Sequence, residues 1–277
     1  MNWEFNSLSL QICLGFGKLF FGLGWIVEGV FSICDRDPFP FIPISFQVFF
    51  YCIPNFQNPT GKTMSLAKRR AVYALAVRYG VPVLEDDPYG ELRIAGGPVP
   101  SIKSMDTEGA VIYAGSFSKI LCPGMRLAYC VCDKKLMAAF VVAKQCSDVH
   151  TNVWAQRVCE AMLTRTDMDA HIREIRKIYA AKAALMMEQL DEKCPQVRYT
   201  RPEGGMFIWG TLPDKYDSAV FAKKAIGNMV AVVEGKTFMP DQSAVSHSFR
   251  MNYSTPTDEQ IIEGVRRLRK TLDDYDA

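Results

Sequence analysis

From about residue 47 onward, apolar positions fall into short blocks whose spacing alternates between two periods. Gln47-Val48-Phe49-Phe50-Tyr51-Cys52-Ile53 is a β-prone apolar run that stops at a loop rich in Pro, Asn and Gly, and it predicts a first strand. Ser65 is placed to cap a helix running to Tyr79, and Gly80 is placed to close it. Val81–Glu85 predicts a second strand, Ala110–Ala114 a third and Leu127–Cys132 a fourth. Strand, helix and strand joined by short loops imply right-handed crossovers and a largely parallel sheet. Beyond Asp133 the pattern turns helical over residues 134–147, 153–164 and 168–191, the last long enough to link two domains. Short strands return at Val197–Arg201, Met206–Trp209, Met229–Val233 and Ser248–Tyr253, and Thr257 with Gln260 forms a capping box that opens a last helix. The expected fold is α/β. A largely parallel sheet with flanking helices spans residues 46–165, and a linking helix with a smaller α/β domain spans residues 166–277.

Residues 1–45 break this regularity and read as an unassigned apolar leader. Lys18 and Glu28 interrupt its run of Phe, Leu, Ile and Gly, so no uncharged stretch there reaches the roughly 20 apolar residues of a bilayer-spanning helix. Met1-Asn2-Trp3-Glu4 is acidic where a secretory signal begins basic, and the run after Asp37 is broken by Pro38, Pro40, Pro43 and Pro54. The composition, 49% apolar and 22% charged, is that of an ordinary soluble protein. A formal charge of +2 with both signs mixed offers no face for nucleic acid. Nine cysteines are an odd number, and Cys130-Val131-Cys132 fits neither a zinc pair nor a redox CxxC. With the histidines limited to His150, His171 and His247, the expectation is no metal site and reduced, mostly buried thiols in a cytoplasmic protein.

The candidate chemistry gathers where the predicted strands end, which is where an open parallel sheet binds ligands. Asn58 follows the first strand, Asp86 the second, and Ser116, Ser118 and Lys119 the third. A lysine in a partly dry strand-end site can lose its proton and attack a carbonyl; a solvated surface lysine is the competing reading of Lys119. Pro123-Gly124 lets the following loop fold back, so that Ser116, Ser118 and Arg126 surround a single phosphate. A buried acid such as Asp86 needs a cationic partner, which a protonated pyridine nitrogen would supply; a turn cap by Asp86 or Asp87 is the alternative. The Asn58 amide and the Tyr89 hydroxyl can both reach a ring oxygen, although Asn-Pro-Thr-Gly is also ordinary turn material. Arg250 stands in an apolar strand and wants a bidentate anion, either a substrate carboxylate or an internal Asp or Glu.

Taken together, Asn58-Pro59-Thr60-Gly61, Glu85-Asp86-Asp87-Pro88-Tyr89, Ser116-Phe117-Ser118-Lys119 with Arg126, Pro202-Glu203-Gly204-Gly205-Met206-Phe207-Ile208-Trp209 and Arg250 resemble the class I/II (fold type I) aminotransferases. The resemblance runs from about residue 47 to the end and is strongest to the 2-aminoadipate/kynurenine branch, which is also similar to the effector domain of MocR-type regulators. It implies pyridoxal 5'-phosphate (PLP) as cofactor, held by Lys119 as a Schiff base, with Lys119 later moving the proton between Cα and the cofactor carbon. It further implies Asp86 on the pyridine nitrogen, Asn58 and Tyr89 on the ring hydroxyl, and Ser116, Ser118 and Arg126 on the phosphate. Arg250 would hold the amino-acid carboxylate, and Asn58 would also contact the substrate. The implied reaction moves an amino group from an amino acid to a 2-oxo acid, and the implied assembly of an intact member is a homodimer. A non-catalytic PLP-binding regulatory module of the MocR kind is an alternative, as is an inactive remnant; the regulator needs a basic winged helix-turn-helix ahead of the core, and residues 1–45 are apolar and hardly basic. Those residues also do not resemble the family's N-terminal portion. The sequence therefore predicts an incomplete large domain, weak cofactor binding and little turnover.

Overall fold

The computed structural model describes residues 17–21, 24–28, 48–241 and 243–276. The chain divides into two compact units. The first holds the described residues up to Pro54 with Met64–Pro88 and Val99–Thr166; the second holds Asn55–Thr63, Tyr89–Pro98 and Asp167–Ala277.

The centre of the first unit is three parallel strands, β3 (Val48–Cys52), β4 (Val83–Asp87) and β5 (Val111–Ser116). Helix α1 (Leu66–Tyr79) lies between β3 and β4 in the chain. Its sequence signals act as expected: the Ser65 side chain accepts the Lys68 N–H, and Gly80 takes the left-handed conformation at φ 64°. That conformation lets the N–H groups of Val81 and Gly80 reach the carbonyls of Ala76 (3.0 Å) and Val77 (3.4 Å), closing the helix end. β6 (Ala128–Val131) pairs antiparallel with β5, because the connection from Ser116 is too short for a crossover. At the other edge, β1 (Gly17–Phe21) and β2 (Gly24–Glu28) add antiparallel strands from within the stretch read as a leader; the rest of that stretch lies outside the described residues. Cys52, Ala76, Val83, Ile102 and Val111 form one apolar cluster of this unit, and Phe117, Leu127, Ala155 and Cys159 form another, with helix α3 (Val153–Arg165) contributing the last two. Between them in the chain runs α2 (Lys134–Ser147).

Among the described residues of this unit, two charged residues, Arg69 and Glu85, are fully buried, and both are hydrogen-bonded to backbone groups. Arg69 donates to the carbonyls of Pro54, Met64 and Pro100, each at 3.0 Å, and of Val99 at 3.3 Å. Glu85 accepts the N–H groups of Ile102 (2.9 Å) and Lys103 (2.8 Å). Burial pushes the Glu85 carboxyl above its ordinary range while those two amides pull it back.

The second unit is an antiparallel sheet of β7 (Arg198–Tyr199), β8 (Phe207–Thr211), β10 (Ser248–Asn252) and β9 (Val233–Glu234), in that order. One face is a core: Ile208, Phe249 and Met251 pack with residues of three helices, α4 (Met168–Lys193), α5 (Ser218–Gly227) and α6 (Asp258–Asp276). On α6 the buried residues Ile261, Val265, Leu268 and Leu272 recur at helical spacing, and each such side chain contributes about 1.5–3 kcal/mol when fully buried. Alternation puts Phe207, Trp209, Thr211, Ser248, Arg250 and Asn252 on the opposite face, where Trp209 and Arg250 are direct cross-strand partners. The capping box is reciprocal: Thr257 N–H donates to Gln260 Oε1 (2.9 Å) and Gln260 N–H to Thr257 Oγ1 (3.3 Å).

The strand expected at Met229–Val233 is shorter, because its first residues serve another end. Helix α5, which the periodicity did not reveal, exits through Met229 at φ 59°, with Val230 N–H on the Ala225 carbonyl at 3.0 Å. Only Val233–Glu234 remains to pair. Among the described residues, no helix is long and apolar enough to cross a membrane.

The Gly204-Gly205 pair has a steric reason. A Cβ on Gly204 would lie 2.4 Å from the Phe56 ring and 2.5 Å from the Leu92 carbonyl oxygen, and that backbone oxygen has no room to move. Gly204→Ala is expected to destabilise the second unit by roughly 1–3 kcal/mol. A denaturant midpoint unchanged from the parent would contradict this close approach.

Candidate active site

In the first unit the candidate residues meet at one end of the parallel strands. Asp86 is the Cα partner of Ala114, and β5 ends two residues later at Ser116. Asp86 therefore lies inside β4, where the sequence had placed it just past the strand, and it does not cap a turn. Phe117–Lys119 form a single tight turn in which Ser116 Oγ accepts the Ser118 N–H at 3.1 Å. The following loop does fold back: Phe117 N–H donates to the Leu127 carbonyl at 3.1 Å, and Ser116 and Ala128 are Cα partners. This brings Arg126, in the left-handed region at φ 54°, to the same end as Ser116. Its exposed guanidinium donates through Nη1 to the Pro123 carbonyl at 3.2 Å. Lys119 is partly buried and makes no side-chain hydrogen bond or ion pair with the described residues.

Asp86 has no salt-bridge partner among the described residues. Its Oδ2 accepts the Tyr51 hydroxyl at 2.6 Å. Burial raises its pKa, the Tyr51 bond lowers it and the neighbouring Asp87 raises it, with a net upward displacement. Asp87 in turn accepts the Tyr113 hydroxyl at 3.0 Å. A raised carboxyl means that folding disfavours the ionised form of Asp86 relative to the unfolded chain. The stability it contributes is full below the ordinary carboxyl pKa and is lost as pH rises through the raised value. Asp86→Asn is thus expected to melt a few degrees higher than the parent at neutral pH without cofactor, the difference shrinking on acidification. The same change should weaken cofactor binding. A lower melting point at neutral pH with undiminished PLP affinity would count against the assignment.

This environment fits the implied cofactor. A mostly buried carboxylate with no cation among the described residues suits a protonated ring nitrogen, a lysine with no partner among them suits covalent attachment, and the folded-back loop supplies hydroxyl and guanidinium donors for a phosphate.

The second unit holds the other candidates. Arg250 Nη1 donates to Asn58 Oδ1 at 2.6 Å, and the guanidinium carbon lies 4.3 Å from the Phe207 ring centre and 5.5 Å from that of Phe238. Its buried Nε has no hydrogen-bond partner among the described residues, and burial lowers the pKa of the guanidinium. No Asp or Glu among the described residues forms a salt bridge with it, so the internal ion pair held open by the sequence is not made there. Asn58 keeps its amide donors, because its oxygen is the atom that accepts from Arg250. The loop carrying it closes on itself: Gln57 Oε1 accepts from Thr60 N–H (3.1 Å) and Thr60 Oγ1 (2.6 Å), and Gly61 at φ 66° sits against the Phe207 carbonyl. Tyr89 is buried, edge-on to Phe207 with ring centres 5.8 Å apart.

Sequence reasoning missed Tyr51 beside Asp86 in the first unit, and Phe207 and Phe238 beside Arg250 in the second. Alternation fixes which residues share a face within one strand, but setting Tyr51 beside Asp86 also takes the β3–β4 register, and the Phe238 contact has no local signal. No group of three or more His, Cys, Asp or Glu side chains among the described residues is placed to hold a metal ion.

Fold and residues together define a fold type I, PLP-type α/β architecture. The sequence profile of the family described as aminotransferase class I and II matches residues 45–268, and the chain belongs to that family. It is 40% identical over 223 residues to aromatic-amino-acid aminotransferase 1 of Thermococcus litoralis, covering 80% of this chain and 53% of that protein. It is 37% identical over 228 residues to the 2-aminoadipate transaminase of Thermus thermophilus, covering 81% and 57%. The crystal structure of a kynurenine aminotransferase of Pyrococcus horikoshii, in complex with PMP, superposes with a TM-score of 0.78 at 42% identity, covering 81% of this chain and 56% of that one. The chain thus spans about half the length of the curated relatives it matches.

Proposed function

We propose that the chain carries the catalytic lysine and the substrate-recognition arginine of a PLP-dependent aminotransferase, which moves an amino group from an amino acid to a 2-oxo acid. The observation that most supports this reading is the pair of unmet demands in the first unit: among the described residues, Asp86 is a mostly buried carboxylate without a cation, and Lys119 is a partly buried amine without a partner.

PLP, when bound, supplies an electron sink for charge developing at the substrate Cα. The residues of the chain do the rest. Lys119 would attach the cofactor through Nζ and would move the proton between the substrate Cα and the cofactor carbon. Asp86 holds the proton at the ring nitrogen. Ser116, Ser118 and Arg126 would hold the phosphate: the Ser116 hydroxyl, which accepts the Ser118 N–H, keeps its own proton to donate, and Arg126 has guanidinium N–H groups beyond the one on the Pro123 carbonyl. Asn58 and Tyr89 hydrogen-bond the ring oxygen. Arg250 offers its planar fork to the substrate carboxylate, with Asn58 fixing one of its nitrogens.

A homodimer, a cytoplasmic location and the assignment of residues 46–165 and 166–277 as large and small domains belong to the same proposal. The seven described cysteines, all free thiols, fit a reducing compartment. Titration of the purified protein with PLP tests the core of the reading by visible absorption. A saturable band that Lys119→Ala abolishes, and that an added amino acid bleaches and a 2-oxo acid restores, is the expected result. Absence of any band in the parent protein would defeat it.

A further inference from the structure

We propose that Tyr51 is a positioning residue that keeps Asp86 ionised and aimed, so that the carboxylate can hold a proton on a cationic ring nitrogen. The role toward the ring nitrogen rests on the PLP reading above; the hold on Asp86 does not.

The backbone sets up the contact. Tyr51 on β3 is the Cα partner of Leu84 on the parallel strand β4, and Asp86 is the next residue of β4 on the same face. At about 3.3 Å of rise per residue, the Tyr51 ring must lie forward along the strand by about 7 Å, a reach that a phenol spans and a serine or threonine does not. On the other side, the partner of Asp86 is Ala114, whose small side chain leaves the carboxylate room. The 2.6 Å separation falls in the range of a hydroxyl donating to an ionised carboxylate. The bond is made to Oδ2, which leaves Oδ1 without a partner among the described residues.

The other groups around Asp86 work against ionisation. Asp87, on the same strand, adds like charge, and Cys52, beside Tyr51 on β3, is a thiol that burial pushes up to about 12 and therefore brings no charge. On β5, Tyr113 directs its hydroxyl to Asp87 and not to Asp86. Among the described residues, Tyr51 is thus the one neighbour that favours the anion. If its hydroxyl is removed, the proton shared between Asp86 and a bound pyridine should move toward the carboxylate, leaving the ring neutral. A purely structural tyrosine, filling the face of the sheet, would be replaced by phenylalanine with no such effect.

Two measurements on the full chain separate these roles. The first needs no cofactor: the Asp86 carboxyl is titrated by NMR in protein labelled with ¹³C-aspartate, its signal assigned by Asp86→Asn. Tyr51→Phe is expected to raise the midpoint by about one to two pH units, the effect of losing one hydrogen bond to a charged group. Replacing Tyr51 by a fluorinated tyrosine keeps the ring, strengthens the donor and should lower the midpoint, so the test survives if the phenylalanine variant does not fold. Midpoints that stay put in the folded variants overturn the proposal, whatever the chain does with PLP. In the second, PLP carrying ¹⁵N in its ring is bound to the parent and to Tyr51→Phe. A pyridinium signal in the parent that moves toward neutral pyridine in the variant supports the role toward the cofactor, and an identical signal in both overturns it. No pyridinium in the parent would instead overturn the PLP reading, while the first measurement still decides the hold of Tyr51 on Asp86.

Discussion

Borohydride reduction of the PLP-loaded protein is expected to fix the cofactor on the peptide containing Lys119 and on no other. The competing lysines are poorly suited. Lys103 already spends its ammonium on Asp106 Oδ2 (2.8 Å) and the Val111 carbonyl (2.9 Å), and Lys134 is an exposed residue opening α2. Lys119 alone follows β5 directly, in a turn that the Ser116 hydroxyl braces. Lys119→Ala should remove about 10²–10⁴-fold from the proton-transfer step, besides the covalent attachment itself. The check is mass spectrometry of the reduced, digested protein together with single-turnover rates. A label on Lys103 or Lys134 would sink the assignment.

Arg250→Ala is expected to weaken amino-acid binding by roughly ten- to a hundredfold or more, the worth of a charge-assisted bond of about 1.5–3 kcal/mol, while PLP binding stays nearly intact. The guanidinium has no carboxylate of its own among the described residues, and Asn58 and two aromatic rings meet only part of its demand. An incoming anion is what that arrangement lacks. Arg250→Lys should rescue only partly, since an ammonium cannot offer the planar fork. Because Arg250 also packs on Phe207, its variants must be compared at equal foldedness, which a melting curve supplies. If PLP affinity or melting temperature collapsed while substrate affinity held, Arg250 would be a structural residue after all.

Much of this was legible in the sequence wherever the signal is local. The Ser65 cap, the Gly80 stop, the helix beginning at Lys134 and the Thr257/Gln260 box each depend on residues within one turn of each other, and each is where the pattern put it. The strands were found, but their ends drifted: β4 runs on through Asp86 because its pairing with β5, not its own composition, decides where it stops. Helix α5 was missed, and its exit turn at Met229 was read as part of a strand, since Met229-Val230-Ala231-Val232-Val233 carries the same β-prone residues in either role. For the candidate site, strand-end position pointed to Lys119 and Asp86, a folding-back loop to Arg126, and a guanidinium inside an apolar strand to Arg250. What surrounds them was not readable. Tyr51 is 35 residues from Asp86, and Arg250 is 192 from Asn58, so those pairs exist only once the strands have found their register.

The two excursions of the second unit set a timetable for the growing chain. Residues 55–63 and 89–98 are made early, yet their partners lie in the C-terminal part of the chain. Ile94 waits for the Glu203 carbonyl, and the Arg93 guanidinium waits for the Glu203 carboxylate, 110 residues further on. At translation speeds of about 5–20 residues per second, that is a delay of roughly 5 to 20 seconds, during which Leu92, fully buried in the finished protein, has no Gly204-Gly205 turn to pack beneath. Binding of a nascent-chain chaperone is therefore expected to concentrate on the segment around Leu92 and to cease once residue 205 has emerged from the ribosome.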